Sequence, residues 1–238
     1  MKVNNWLKSA RLRLWPQCCQ LCGEGPLATD NVLCQACQAD LPWNRVCCQV
    51  CALPLAYEAT CGRCLRKPPP YHHALATFSY KEPLSHIVHG LKFGQRLYYG
   101  RFLGDALAQT VSQDERLIIP DLIIPVPLHR KRLNERGYNQ AYEIARPTAK
   151  LLQCPVTDRF VVRSSETKQQ SQLNALQRRR NLKNVFIVLG AVKGLHVAIV
   201  DDVMTTGATV GELTRALIQA GARRIDIWLA ARAPLGGN

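Results

Sequence analysis

Acidic residues are scarce in this chain. Seventeen Asp and Glu stand against 31 Lys and Arg, a formal net charge of +14 at pH 7. A basic excess of this size points to an anionic partner; a phosphorylated small molecule and a nucleic acid both qualify. Long apolar runs are missing: none approaches the roughly 18 residues of a membrane helix, so no membrane span is expected. The opening MKVNNWLKSARLRLWPQ is basic but has neither a continuous apolar core nor a small-residue cleavage site. That argues against a secretory signal and leaves a cytoplasmic location as the expectation. Trp6, Leu7, Ala10 and Leu14 fit a short amphipathic helix packed on the protein, with a basic membrane-surface helix as the alternative. Low-complexity tracts are also missing, and 47% of the 238 residues are apolar. Such a chain can bury a sizeable core, as one large domain or two smaller ones.

Cysteine is abundant, at eleven residues, and eight of these fall into four CxxC pairs: Cys19/Cys22, Cys34/Cys37, Cys48/Cys51 and Cys61/Cys64. Each pair can present two thiolates to one tetrahedral zinc ion. The segment repeats, since Cys18-Cys19-Gln20-Leu21-Cys22 returns as Cys47-Cys48-Gln49-Val50-Cys51, each followed by a second CxxC. The repeat assigns Cys19, Cys22, Cys34 and Cys37 to one Zn2+ site and Cys48, Cys51, Cys61 and Cys64 to another. Interleaved pairing and disulfides are the alternatives, and Cys18 or Cys47 could replace a neighbour at CxxxC spacing. Four thiolates leave no open position for water, so the sites read as structural. About 60 residues with few large apolar side chains need metal to hold a fold. The expected unit is a double zinc ribbon over residues 1–67, ended by the stiff Lys67-Pro68-Pro69-Pro70. Cys154, far from the rest, reads as a buried structural thiol. His86 and His89 share a helix face but have no third ligand nearby.

The second informative stretch is VAIVDDVMTTGAT, Val197 to Thr209. Val197 to Val200 suit a buried parallel strand, Asp201 and Asp202 follow at its end, and a helix is expected from Gly211 to about Ala220. In open α/β sheets ligands sit beyond the carboxyl ends of strands, and helix N-termini offer N–H groups to phosphate. Gly207 allows close backbone approach, and Thr205, Thr206 and Thr209 add hydroxyls. The two carboxylates need a donor such as vicinal sugar hydroxyls, and a ribose 5-phosphate meets both demands.

Along its full length this stretch resembles the phosphoribosyl pyrophosphate (PRPP) motif of type I phosphoribosyltransferases. The resemblance implies an α/β fold, a parallel sheet flanked by helices, over residues 71–238. It assigns Thr205, Thr206, Gly207, Ala208 and Thr209 to the 5-phosphate. Asp201 and Asp202 take the catalytic part, orienting the ribose 2- and 3-hydroxyls, with Mg2+ accompanying PRPP. Upstream, the apolar Asp121 to Pro127 ends in Leu128-His129-Arg130-Lys131-Arg132, a basic cluster at a strand end. By position, Leu128, His129 and Arg130 inherit the pyrophosphate-binding role, in a loop where family members often carry a non-proline cis peptide. Lys92 is a candidate ligand contact, with a solvated lysine as the plain reading. The basic stretch from Thr167 to Phe186, with Arg178, Arg179 and Arg180, falls where the family's mobile loop lies.

Across nearly its whole length the chain is similar to the ComF/GntX family, linked to competence and DNA utilisation. The residues that carry this are the CxxC pairs with Cys61 to Pro70, Val126-Pro127-Leu128, Arg136-Gly137-Tyr138-Asn139-Gln140, Arg180 to Phe186 and the PRPP motif. Ile225 to Ala230 should form the last core strand, leaving only the tail 231–238. A cover for the acceptor side is therefore expected from residues 71–112 or the ribbon, with the core at 117–238. Three functions follow from the resemblance: a phosphoribosyltransferase of unknown acceptor, a catalytically silent sensor or scaffold, or a handler of single-stranded DNA with DNA-uptake proteins as partners.

Overall fold

The computed structural model describes residues 18–25, 27, 31–164 and 185–234. The expected N-terminal amphipathic helix and the basic stretch 167–184 with its three consecutive arginines lie outside these residues.

Four strands, β1 (His73–Ser79), β2 (Leu122–Pro125), β5 (His196–Met204) and β6 (Arg224–Arg232), form one sheet in the order β1-β6-β5-β2, with every neighbouring pair parallel. They read as near-continuous apolar runs because both faces are covered, and β5 and β6 are buried almost throughout. A separate antiparallel pair joins β3 (Val161–Arg163) to β4 (Phe186–Val188). In the ribbon lie the short α1 (Gln35–Ala39) and α2 (Gly62–Arg66). Between β1 and β2 come α3 (Leu84–Phe93) and α4 (Tyr98–Gln113); α5 (Arg130–Arg136) and α6 (Gln140–Leu152) follow β2, and α7 (Ala208–Gln219) follows β5.

Residues 71–112, expected as a cover, begin with an edge strand of the central sheet. His73 to Ser79 pairs with Asp226 to Arg232. The ribbon shields the outer side of β1. Asn44 N–H donates to Thr77 carbonyl at 3.0 Å, Ser79 N–H to Pro42 carbonyl at 2.7 Å, and the Trp43 ring packs 4.6 Å from that of Phe78. An unpaired edge is a liability, and here the metal-bearing segment covers it. On one face α4 packs closely on α6. A methyl group at Gly104 would come within 2.4 Å of Ile144 carbonyl oxygen, so only glycine permits this approach. Thr148 hydroxyl crosses the gap to Gly104 carbonyl at 2.9 Å.

Buried charge gathers at the amino-terminal ends of the strands. Asp226, fully buried, is met by His196 Nε2 at 2.8 Å and by the Arg224 guanidinium at 3.1 Å. Partnered on both sides, it is a structural group opposite Ala198, at the end of the sheet away from Asp201 and Asp202.

Strand β5 outlasts the sequence expectation. It continues through Asp201 and Asp202 to Met204 because β6 runs beside it, Asp201 opposite Leu229 and Met204 opposite Arg232. On the other side β2 stops at Pro125, opposite Val200. The two acids thus lose one neighbouring strand where they begin, and a crevice opens there.

Candidate functional site

The candidate site lies at the carboxyl end of β5. Asp202 is buried at 3% exposure, and Lys92, from the last turn of α3, places its Nζ 3.1 Å from Asp202 Oδ2. Oδ2 takes part in no hydrogen bond, so the ion pair is out of hydrogen-bonding alignment. Asp201 lines a small cavity with Val203, Met204 and the loop from Thr205 to Val210. Burial, reinforced by the charge of Asp202 and opposed by Lys92, pushes the Asp201 carboxyl up to about 7.

The loop that follows is not helical throughout. Gly207 takes φ +79° as the N-cap of α7, a left-handed conformation that disfavours side chains. Helix α7 starts at Ala208, earlier than expected, so Ala208 and Thr209 form its first turn. Thr206 hydroxyl accepts from Ala208 N–H at 3.3 Å. Thr205 and Thr206 are exposed, and the first-turn amides lie beside the cavity that Asp201 lines. Behind the loop, fully buried Arg232 holds the carbonyls of Met204 at 2.7 Å and Thr205 at 2.6 Å.

A larger cavity of about 420 Å³ is lined by Lys92, the partner of Asp202, and by Phe93, Gln95, Leu128, Arg132, Glu135, Arg136, Tyr138 and Gln140. The three residues expected to hold pyrophosphate are arranged unequally around it. Leu128 lines the cavity. His129 Nδ1 instead accepts from Lys131 N–H at 3.3 Å and caps α5, and Arg130 is exposed in the first turn of that helix. Arg132 and Arg136 are the guanidinium bearers on the wall, although neither is among the three residues expected to hold pyrophosphate. The basic stretch 130–136 reads as a loop until it is seen as the single helix α5, whose spacing sends both arginines to one side. Arg136 sits 5.3 Å from the centre of the Phe93 ring and also bonds Gln140. Tyr138 hydroxyl donates to Leu91 carbonyl, tying the end of α3 to this wall. Burial and the like charge of Arg132 hold the Arg163 guanidinium below its usual range, against the pull of Asp201. Peptide bonds through 128–130 are trans; the cis bond among the described residues precedes Pro83.

The cysteines group as the repeat implies. Sulfur atoms of Cys19, Cys22, Cys34 and Cys37 all lie within 4.8 Å of one another, and so do those of Cys48, Cys51, Cys61 and Cys64. Tetrahedral zinc with Zn–S near 2.3 Å separates its sulfurs by roughly 3.8 Å. Cys22 and Cys34 stand 3.8 Å apart and Cys51 and Cys61 3.7 Å, far beyond disulfide bonding. Cys37 N–H points at Cys34 sulfur and Cys61 N–H at Cys48 sulfur, donors that favour thiolates. Burial raises the Cys19 and Cys48 thiols, but backbone N–H groups outweigh it and bring them to about 6 and about 7. Both clusters fit Zn2+, and Cys18 and Cys47 belong to neither. Cys154 is buried, and its thiol donates to Pro120 carbonyl at 3.1 Å. Neither His86 nor His89 joins a metal-binding group among the described residues.

Comparison with known proteins follows the same division. Residues 12–65 match a double zinc ribbon domain and residues 139–236 a phosphoribosyl transferase domain. A DNA utilization protein YhgH of Salmonella typhimurium is 41% identical over 174 residues, which is 72% of this chain and 77% of the relative. Competence protein F of Haemophilus influenzae is 36% identical over 209 residues, 85% of this chain and 91% of the relative. The chain belongs to the ComF/GntX family. Among solved structures, the glutamine PRPP amidotransferase of B. subtilis is similar at 20% identity and a TM-score of 0.38, over 55% of this chain and 26% of that one. For this ComF/GntX member, no helix among the described residues is long and apolar enough to cross a membrane.

Proposed function

We propose that this protein binds PRPP at the end of β5 and acts in DNA utilisation or uptake. The observation that carries the reading is the arrangement at the end of β5: two acids, a glycine-capped helix start after them, and Lys92, paired with Asp202, in the wall of a cavity that also holds Arg132 and Arg136. Thr205 to Thr209 would present N–H and hydroxyl donors to the 5-phosphate, where α7's dipole favours negative charge. Asp201 and Asp202, ionised, would accept from the ribose hydroxyls. Lys92, Arg132 and Arg136 face the side where pyrophosphate would leave, and guanidinium groups suit its paired oxygens. Mg2+, held by PRPP's oxygens and the acid pair, would neutralise leaving-group charge when bound. In such a site most of the catalysis would come from stabilising that charge in a sheltered cavity.

The acceptor side fits Phe93 and Gln95 on the 71–112 segment, which line the cavity with Lys92. Isothermal titration with PRPP and Mg2+ tests the reading. Binding should be abolished by the double change Asp201→Ala and Asp202→Ala, and wild-type protein that ignores PRPP would refute it. Pyrophosphate release in the presence of candidate bases or ammonia distinguishes turnover from a silent sensor.

The DNA partner is supported by the +14 charge and by the names of the relatives. Phosphate contacts make affinity fall steeply with salt. Binding to a single-stranded oligonucleotide should weaken sharply between 50 and 200 mM salt; flat affinity would remove this partner.

A further inference from the structure

Arg232 ends the last strand of the sheet and is 0% exposed, yet no carboxylate in the described residues pairs with it. Its polar contacts run to backbone carbonyls on two sides. Nη1 donates to Met204 at 2.7 Å, Thr205 at 2.6 Å and Ala233 at 2.8 Å, while Nε donates to Cys51 at 3.2 Å. One side chain thus touches the loop read as the 5-phosphate cradle and a ligand of the fully buried second cysteine cluster.

A buried guanidinium without a counter-ion is costly, and carbonyl dipoles offset only part of that cost. The second cluster supplies the remainder when it holds metal. Four thiolates around Zn2+ leave a net double negative charge, whereas four neutral thiols carry none. Loaded with zinc, the cluster compensates Arg232 across the Cys51 carbonyl; emptied, it leaves a bare cation pressed against the Thr205 peptide.

We infer that Arg232 is a positioning residue that couples zinc occupancy at Cys48, Cys51, Cys61 and Cys64 to the conformation of the Thr205–Thr209 loop. The inference rests on the reading of that loop as a sugar-phosphate cradle. Coupling is reciprocal: if zinc at the second cluster tightens the cradle, ligand in the cradle must tighten zinc.

The test measures ribose 5-phosphate affinity of the full chain by calorimetry for wild type, Arg232→Lys, Cys64→Ser and the double variant, with zinc content and melting curves for each. Each single change should weaken binding at least tenfold, and the double variant should be no weaker than the worse single. Folded singles that bind like wild type, or losses that multiply in the double variant, overturn the coupling. Should a variant not fold, wild type decides: loaded with cobalt(II), its sulfur-to-metal absorption should shift when ribose 5-phosphate is added. An unchanged spectrum in protein that binds the ligand overturns the coupling as well. Wild-type protein that binds no ribose 5-phosphate instead refutes the cradle, and the inference falls with it.

Discussion

Lys92 Nζ stands 3.1 Å from Asp202 Oδ2, an ion pair between the end of α3 and the end of β5. Asp202 is almost wholly buried and Lys92 partly exposed, so the pair sits at the lip of the crevice. Two adjacent acids in low dielectric repel each other, and the charge of Lys92 opposes the rise that burial and Asp202 impose on the Asp201 carboxyl. Lys92→Met removes that support. PRPP affinity at pH 7 should fall roughly ten- to a hundredfold, the worth of one charge-assisted contact. A rise in affinity would mean that Lys92 competes with the sugar for Asp202.

The acid pair also predicts a pH dependence. Asp201, pushed up to about 7, holds a proton in the folded protein well above the ordinary carboxyl range. Its folded value is above its unfolded value, so its contribution to stability is greatest at low pH and is lost as pH rises toward 7. Under the proposed function, ligand binding should run the other way, because the ribose hydroxyls would need an ionised acceptor. Titrated from pH 6 to pH 8, wild type should gain PRPP affinity and lose unliganded stability. Asp201→Asn should flatten both curves and raise the melting temperature at pH 8 by on the order of 5 °C. Parallel curves for variant and wild type would contradict the assignment.

Much of this was legible in the sequence because it is written in local patterns. The CxxC repeat pairs the zinc ligands by proximity alone, and the apolar run before Asp201 marks a buried strand. Arg132 is visible only as one member of a basic cluster, and Arg232 not at all, because the place of each depends on partners far along the chain. Arg232 reaches Cys51 across 181 positions, and an arginine at the end of an apolar strand reads as surface charge until the sheet brings the ribbon behind it. Residues 73–79 show the same limit: they fall in the stretch expected as a cover, and only pairing with β6 puts them in the central sheet.

Metal content checks the ligand register. Burial pushes the Cys47 thiol up to about 11, so it is protonated at neutral pH and a poor ligand. Cys18→Ser and Cys47→Ser should each retain two zinc ions per chain by elemental analysis, whereas Cys34→Ser should retain one. The first cluster has an exposed member, Cys22, and the second has none, so a chelator should strip the first cluster faster. Biphasic zinc release, with the slow phase lost in Cys61→Ser, is the expected record. A single phase, or loss of zinc from Cys47→Ser, would reassign the ligands.

The packing of α4 on α6 sets a last expectation, independent of any ligand. At Gly104 an added methyl group would lie 2.4 Å from both Ile144 carbonyl oxygen and Pro147 Cγ. Backbone cannot yield as a flexible side chain can, so the helices must separate. Separation also stretches the bond from Thr148 hydroxyl to Gly104 carbonyl. Gly104→Ala should therefore destabilise the fold by roughly 1–3 kcal/mol, despite alanine's better helix propensity. Gly211 is the control: it lies within α7, and its added methyl meets nothing closer than 4.0 Å. There alanine should stabilise by up to about 1 kcal/mol, so urea midpoints of the two variants should move in opposite directions.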